Sequence, residues 1–326
     1  MKSIDGVSRF IRPVLYQDVF RSLRFPLDSA IFTDMEYLTP LQLDAAIAME
    51  GRILEHNPHA RILNPPSAAC ERYQLLRKLE HVGISSVQAT RLESGDHPGR
   101  YPVFIRSEVG CAGPETGLLE DREAFDAAVD QLVEQGRGIK GRVALSFEAQ
   151  TNDDGYYRKY GAVRVGDRII PQHLMRGQHW IIKRAGVEYG AEVIAEEWEF
   201  IVNNPHQSLL MEAFDAGNLQ YGRADYGFKD GKLVIYEINV NPTLPQRINK
   251  TDSRTPRRNA VRTALSEAFR ALDDGSRSTT YSWLPSMSDS HRLVEMRSWN
   301  EASKIAWRLR RHLAKRHYKS AASRSS

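Results

Sequence analysis

Three side chains that carry oxygen atoms lie close together in the segment YGRADYGFKDGKLVIYEINVNPTLP, residues 221–245. Glu237 and Asn239 are two positions apart, so on a β-strand they point to the same side. Most of their neighbours are apolar, and burying an acid and an amide among them costs free energy unless a partner compensates. A hard divalent cation such as Mg²⁺ suits these oxygen atoms. The segment therefore predicts a metal-binding strand, and a solvent-facing hairpin with scattered acids is the alternative.

The register of the hairpin decides whether Asp225 joins this set. A two-residue turn at 230–231 would put Asp225 on the face of the hairpin away from Glu237. A three-residue loop at 229–231 would put both carboxylates on one face. Glycine at the third loop position suits the longer loop, and Gly231 occupies that position. We therefore expect the three-residue loop.

The remaining chain shows helix and strand patterns that would position these residues. Residues 29–34 predict a short strand, and Thr39-Pro40 predicts the start of a helix. Ser67 and Asp121 are expected to cap two further helices. Strand patterns occupy 101–106, 142–149, 160–165, 168–174, 221–228 and 232–239. Thr255-Pro256 predicts a later helix, 273–290 a linker, and Trp299 the approximate start of a last helix.

Composition excludes several classes of protein. The 326 residues are 41% hydrophobic and 26% charged, which is typical of globular proteins and not of disordered ones. No apolar run approaches the ~20 residues that span a bilayer, and the N-terminus lacks the apolar core of a signal peptide. Cys70 and Cys111 cannot form a disulfide framework or a four-cysteine zinc site. A cytoplasmic location is expected.

Positive charge is concentrated at the C-terminal end. The net charge is +4, yet residues 297–326 contain nine Lys or Arg and one acid, Glu301. Such a tail attracts phosphates, acidic proteins or anionic lipids, with a solvated terminal helix as the alternative. Packing on the body of the protein or on a second subunit, as in a homodimer, is favoured over contact with nucleic acid or a membrane.

Four segments resemble the ATP-grasp superfamily and occur in that superfamily's order. Residues 62–84 resemble its opening Asn-Pro phrase and helix, and 101–119 its phosphate-binding strand and glycine-rich loop. Residues 143–149 resemble its adenine hinge. Residues 224–245 resemble its metal-binding hairpin and are the most specific match. Together the resemblance spans roughly residues 60–248.

The resemblance implies an α+β or α/β chain with the ATP-grasp fold, in which two α+β lobes enclose a nucleotide cleft. The implied domains are an N-terminal α/β segment at 1–66, a small lobe at 67–145, a large lobe with the metal-binding hairpin at 146–255, and C-terminal helices with the basic tail at 256–326.

The resemblance also implies roles for individual residues. Nucleotide contacts are expected from Arg106, Gly110, Gly113, Lys140, Phe147, Glu148, Ala149 and Asp153. Phosphoryl or acyl-phosphate contacts are expected from Arg158, Arg176 and Arg223, and metal ligation from Asp225, Glu237 and Asn239. Arg106 stands where the superfamily usually has lysine, which keeps the charge and changes the geometry. For the strand arginines a solvated surface role is an equal alternative. His173 is expected to hydrogen-bond within the sheet, with a role as catalytic base as the alternative.

The implied reaction is ATP-dependent ligation with Mg²⁺, or Mn²⁺ in its place. A carboxylate would become an acyl phosphate, and an amine such as an amino acid or peptide would displace the phosphate. One alternative is an ATP-dependent phosphotransferase. Another is a non-catalytic ATP-binding module that docks through its basic tail.

Overall fold

The computed structural model describes residues 7, 11–22, 24–110, 112–182, 190–245, 252–273 and 280–283. Cys111 and the predicted last helix with its basic tail lie outside the described residues. The chain divides into two compact units, one formed by Met1–Arg12 with Ser29–Ser276 and the other by Pro13–Asp28 with Arg277–Ser326. The predicted domain boundaries at 66, 145 and 255 stay predictions.

Helices and strands are mixed along the chain, as expected for an α+β protein. The helices are α1 (Tyr16–Ser22), α2 (Pro40–His56), α3 (Arg72–His81), α4 (Arg122–Glu134), α5 (Ala191–Asn203), α6 (Gln207–Ala216) and α7 (Thr255–Ala271). The strands are β1 (Arg24–Pro26), β2 (Ala30–Ile31), β3 (Ile62–Leu63), β4 (Ala89–Arg91), β5 (Val103–Ser107), β6 (Arg142–Ser146), β7 (Tyr157–Val165), β8 (Arg168–Gly177), β9 (Tyr221–Lys229), β10 (Lys232–Asn239) and β11 (Tyr281–Trp283).

In the part of the chain that the structure describes, the larger unit contains three sheets. One has four antiparallel strands in the order β10-β9-β7-β8, and another has three antiparallel strands in the order β4-β6-β5. A short parallel pair joins β2 and β3. The smaller unit contains the antiparallel pair of β1 and β11, in which the Arg24 guanidinium lies 4.0 Å from the centre of the Tyr281 ring.

Both faces of the four-stranded sheet carry helices. Tyr226 and Leu174 belong to a core that includes buried residues of α3, α5 and α6. Val163 and Tyr221 belong to a second core with Phe269 and other residues of α7. Lys159 on β7 and Asp225 on β9 lie on the same face of the sheet as Val163 and Tyr221 and give that face a polar end.

Local signals place most of these elements correctly. Thr39 caps α2 with a capping box, and Asp121 caps α4 by accepting a hydrogen bond from the Ala124 amide at 2.8 Å. Ser67 was expected to cap the next helix, and this is wrong. Its hydroxyl donates to Glu50 at 2.8 Å, because two prolines fold residues 65–69 into a turn before α3 begins.

No helix among the described residues is long and apolar enough to cross a membrane.

Asn64, from the Asn-Pro phrase, connects two distant parts of the larger unit. It is fully buried and adopts a left-handed conformation, with φ 53°. Its amide nitrogen donates to the carbonyls of Phe32 and Tyr221 at 3.0 and 2.8 Å. Its side-chain oxygen accepts from the backbone amides of Gln220 and Tyr221 at 2.9 Å. One side chain therefore satisfies four backbone groups, three at residues 220–221 and one at Phe32.

We predict that Asn64→Ala lowers the free energy of unfolding by about 3 kcal/mol or more, since it strands buried backbone groups that each cost about 1–3 kcal/mol. Urea denaturation measures the change. Asn218→Ala is the matched control, because Asn218 has the same φ of 53° and one exposed hydrogen bond to Ala68. Equal losses in the two variants would contradict the role of buried hydrogen bonding.

Candidate active site

The hairpin of β9 and β10 closes with a two-residue turn. Lys229 pairs with Lys232, and the turn residues Asp230 and Gly231 both have positive φ, at 50° and 74°. The expected three-residue loop is therefore wrong. Aspartate tolerates this conformation, and Gln150 supports it by accepting a hydrogen bond from the Asp230 amide at 2.8 Å.

A β-bulge in β10 nevertheless brings the two carboxylates together. Tyr226 pairs with Ile235 and Asp225 pairs with Glu237, so Tyr236 is an extra residue. The extra residue shifts the alternation by one position and puts Asp225 and Glu237 on one face, about 5 Å apart at the backbone. The predicted shared face is confirmed, although the bulge produces it and the loop does not.

Space for the Tyr236 ring comes from Gly227 on the neighbouring strand, which pairs with Val234. A Cβ atom on Gly227 would lie 2.3 Å from the Tyr236 hydroxyl, so the tyrosine ring occupies the place of a side chain there. The register also places Arg223 opposite Asn239. A three-residue loop with regular pairing would instead have placed Arg223 opposite Glu237.

Asp225 is buried between two cations. The Arg223 Nε donates to Oδ1 at 2.7 Å, and the Lys159 Nζ donates to Oδ2 at 3.2 Å. Burial raises the pKa of Asp225, but Lys159, Arg223 and His173 outweigh it and hold the pKa below its usual value. Asp225 is therefore a charged carboxylate in the protein interior.

Glu237 is held by two arginines from elsewhere in the chain. Arg72 and Arg106 each donate to Oε2 at 2.9 Å, and both side chains are almost entirely buried. Burial lowers the pKa of Arg72, and the nearby Arg106 lowers it further. Two guanidinium groups so close repel one another, so this pair favours anions.

Arg72 is a site residue that the sequence reasoning missed. It begins α3 and also donates to the carbonyls of Ser107, Glu108 and Gly110, at 3.1, 2.7 and 2.8 Å. A cation at a helix N-terminus opposes the helix dipole, which is a sign that it has another partner. Arg72 thereby joins α3, the turn after β5, and Glu237.

The predicted phosphate-binding turn follows Arg106 directly. Gly110 and Gly113 both have left-handed backbones, with φ of 82° and 90°, a conformation that glycine adopts without strain. Tyr37 packs closely here, since its hydroxyl would lie 3.1 Å from a Cβ atom on Gly110. The Arg106 Nη2 also lies 3.4 Å from the Gly110 carbonyl.

The predicted adenine hinge lies after β6. Glu148 is buried and bonded to Arg100 and Lys229, both at 2.9 Å. Phe147 contacts Trp180, whose ring centre is 5.5 Å away, and Trp180 also contacts Phe104 at 5.2 Å. These aromatic side chains from three segments form a half-buried cluster beside the hinge.

Other predicted nucleotide contacts lie at the surface or between these groups. Lys140 is exposed in the turn before β6, and Asp153 is exposed in the loop before β7. Ala149 is half-buried directly after Glu148. Their predicted roles stay predictions.

Arg158 and Arg176 do not join the carboxylates. They pair with each other across β7 and β8, one residue out of phase with Lys159, so they lie on the opposite face of the sheet. Arg158 binds Asp154 at 2.8 Å and Glu196 at 2.5 Å, and it holds the pKa of Asp154 at about 2. Of the three predicted catalytic arginines, only Arg223 contacts Asp225.

His173 does not hydrogen-bond within the sheet as expected. Its Nε2 atom is buried and has no hydrogen-bond partner among the described residues. Burial lowers its pKa to about 3, an effect that Asp225 opposes and that Arg223, Lys159 and Arg257 strengthen. The imidazole is therefore neutral at physiological pH.

A cleft of about 220 Å³ opens beside Asn239. Its lining includes Arg72, Gly110 and Asn241, together with residues of the segment after β2. The backbone N–H of Asn241 donates a hydrogen bond to the side-chain oxygen of Asn239 at 2.8 Å. Space for a ligand therefore lies next to the third predicted metal ligand.

The donor set suits a hard cation. Asp225, Glu237 and Asn239 offer two carboxylates and an amide oxygen, the atoms that Mg²⁺ and Mn²⁺ prefer. The described residues contain no group of three or more His, Cys, Asp or Glu that could hold a metal. Because this set has two acids, substrate phosphates would have to supply further ligands, as is usual for Mg²⁺.

We predict that Glu148→Gln lowers the free energy of unfolding by about 1–3 kcal/mol near pH 7, because it removes two charge-assisted hydrogen bonds. Burial raises the pKa of Glu148, but Lys229 and Arg100 hold it below the ordinary 4.5. The stabilisation is therefore full above that pH and is lost as pH falls through the lower folded pKa.

Denaturation of both proteins between pH 7 and pH 3 measures this difference. Glu55→Gln is the control, since Glu55 pairs with Arg52 in an exposed position. A difference between wild type and Glu148→Gln that grows on acidification would contradict the assignment.

Solved structures that the chain resembles include ATP-grasp ligases. D-alanine–D-alanine ligase from Bacillus anthracis complexed with ATP has 14% identity and a TM-score of 0.39, covering 72% of this chain and 77% of that one. L-amino acid ligase from Bacillus licheniformis has 12% identity and a TM-score of 0.37, covering 76% and 66%. The ATP-grasp ligase PsnB, complexed with a precursor peptide and AMPPNP, has 14% identity and a TM-score of 0.41, covering 71% and 67%. No family model matches the sequence, and no curated protein matches it. Identities of 12–14% leave the function to be inferred from this chain's own side chains.

Proposed function

We propose that the protein is an ATP-dependent ligase of the ATP-grasp type. It activates a carboxylate as an acyl phosphate and couples it to an amine, with release of ADP and phosphate. One observation carries the proposal: Asp225 and Glu237 share a face, and four cations surround them within hydrogen-bonding distance.

The charge on this face suits a polyphosphate. Lys159 and Arg223 bind Asp225, while Arg72 and Arg106 bind Glu237, so two positive charges are left over. Phosphate oxygens bind guanidinium groups at least as well as carboxylates do. Bound ATP would therefore take over the arginines and release Glu237 for a cation.

Asp225, Glu237 and Asn239 would hold Mg²⁺ or Mn²⁺. The bound ion supplies charge neutralisation for the phosphates. Arg106 and Arg72 orient the phosphates from the glycine turn, and Arg223 with Lys159 stabilises negative charge on the group being transferred. Residues 107–110 would exclude water from the phosphates by closing over them.

The hinge would hold the base and ribose of ATP. Phe147 and its aromatic neighbours offer flat apolar surface for a purine, and Glu148 and Ala149 offer polar groups beside it. Arg158, Arg176, Lys140 and Asp153 stay predicted contacts, and no side-chain geometry described above supports them. Amino acids or peptide-like molecules are the proposed substrates, in a cytoplasmic setting, and a homodimer stays an expectation.

Glu237→Ala is predicted to lower ADP release by about 100-fold or more, since it removes a charged group that acts on the transferring phosphate. Purified protein is incubated with Mg²⁺, ATP and a pool of the protein amino acids, and ADP and phosphate are both measured. ADP without free phosphate would indicate a phosphotransferase.

Glu192→Ala is the control, because the Glu192 side chain is 90% exposed. Unfolding by urea shows whether both variants keep the fold. Unchanged ADP release in folded Glu237→Ala would overturn the proposed function.

Arg72→Gln is predicted to raise the KM for ATP by about 10–100-fold, since a charge-assisted hydrogen bond contributes about 1.5–3 kcal/mol. Arg77→Gln is a control on the same helix, because Arg77 is 55% exposed and binds only Glu80 in the described structure. Equal KM values for the two variants would remove Arg72 from the nucleotide site.

A further inference from the structure

A β-bulge in β8 redirects two polar side chains beside the proposed site. Gly161 of β7 pairs with His173, and the next residue, Ala162, pairs with Pro171. Gln172 is therefore an extra residue in β8. Bulges re-aim side chains and are frequent next to active sites.

His173 reaches toward the carboxylates because Gly161 has no side chain. A Cβ atom on Gly161 would lie 2.3 Å from Cε1 and 2.5 Å from Nε2 of the imidazole, so the ring covers this glycine. Gly161 pairs with Asp225 in the next strand, and Asp225 pairs with Glu237. The imidazole and the two carboxylates thus lie on one row across the sheet.

Both redirected side chains have a buried polar atom without a partner. The atoms are Nε2 of His173 and Oε1 of Gln172, for which the described residues provide no hydrogen bond. Gln172 is only 8% exposed, and its amide nitrogen donates to the Thr243 carbonyl at 3.3 Å. Buried polar atoms nearly always have partners, so these two are suited to meet a substrate.

The charges around His173 bear on whether a bound amine is protonated or neutral. Burial disfavours an ammonium ion beside His173, and the cations Lys159, Arg223 and Arg257 act in the same direction, while Asp225 opposes them. A neutral amine is tolerated and still has the lone pair needed for attack. Gln172 Oε1 only accepts hydrogen bonds, and a neutral imidazole has one nitrogen that accepts.

We infer that His173 and Gln172 bind the attacking amine, each accepting a hydrogen bond from one N–H of a neutral primary amine. This inference rests on the proposed ligase function. The amine nitrogen forms a bond to the carbonyl carbon of the acyl phosphate, and the bond from that carbon to the phosphate oxygen breaks. Phosphate leaves with the electron pair and takes the proton that the nitrogen loses. A secondary amine has one N–H and is the poorer substrate.

Hydroxylamine and N-methylhydroxylamine test this inference as matched nucleophiles with two and one N–H groups. The full-length protein is incubated with Mg²⁺, ATP, a pool of the protein amino acids and either nucleophile, and the hydroxamate product is measured. The wild type is expected to have a lower KM for hydroxylamine. His173→Phe is expected to raise that KM about tenfold and to abolish the preference, while the KM for ATP is unchanged.

His173→Gln restores a polar atom near the Nε2 position and is expected to recover most of the preference. His97→Phe is the control, because His97 pairs with Asp126 in an exposed turn. An unchanged preference in His173→Phe, or a KM for ATP that rises in parallel, overturns the inference and leaves the ligase function standing if Glu237→Ala is inactive. A wild type that forms no hydroxamate overturns both.

Discussion

The extra residue in β10 is the constraint on which the candidate site depends. Without Tyr236 outside the regular pairing, the two-residue turn would send Asp225 to the opposite face from Glu237. Gly227 makes the bulge feasible by leaving room for the tyrosine ring. A second bulge in β8, facing Gly161, acts in the same way on His173. Two glycines and two irregular pairs thus bring chemistry onto one face of an otherwise regular sheet.

Electrostatics then decides what this face can bind. Each carboxylate is held by two cations, so neither is stranded in the interior without compensation. The arrangement is compact and over-supplied with positive charge. The Glu237 carboxylate binds Arg72 and Arg106, the two side chains to which phosphate oxygens are proposed to bind. Because the basic side chains are long and flexible, they can exchange a carboxylate partner for a phosphate partner with little rearrangement of the backbone.

Local signals in the sequence predict the starts of α2 and α4, as the caps at Thr39 and Asp121 show, but they do not predict α5 and α6. They also predict that the two carboxylates share a face, but through a three-residue loop that the structure does not contain. They fail where the outcome depends on distant residues. The Tyr236 ring at the bulge needs the space left by a glycine on the neighbouring strand. Arg72 forms a hydrogen bond with Glu237, 165 positions later in the chain. Ser67 has the residue type of a helix cap, but its hydroxyl donates a hydrogen bond to Glu50, 17 positions earlier in the chain.

The position of Asn64 in the chain affects the order in which the protein can complete its hydrogen bonds during folding. Asn64 binds backbone groups of Tyr221, 157 positions later in the chain, and the backbone carbonyl of Phe32, 32 positions earlier. During synthesis on a ribosome, three of the four side-chain hydrogen bonds of Asn64 can therefore form only after the start of β9 has been synthesised. Closing a loop of that length is entropically costly and slow compared with forming a helix. The N-terminal part of the chain therefore completes its hydrogen bonds to β9 through Asn64 only after most of the protein has been translated.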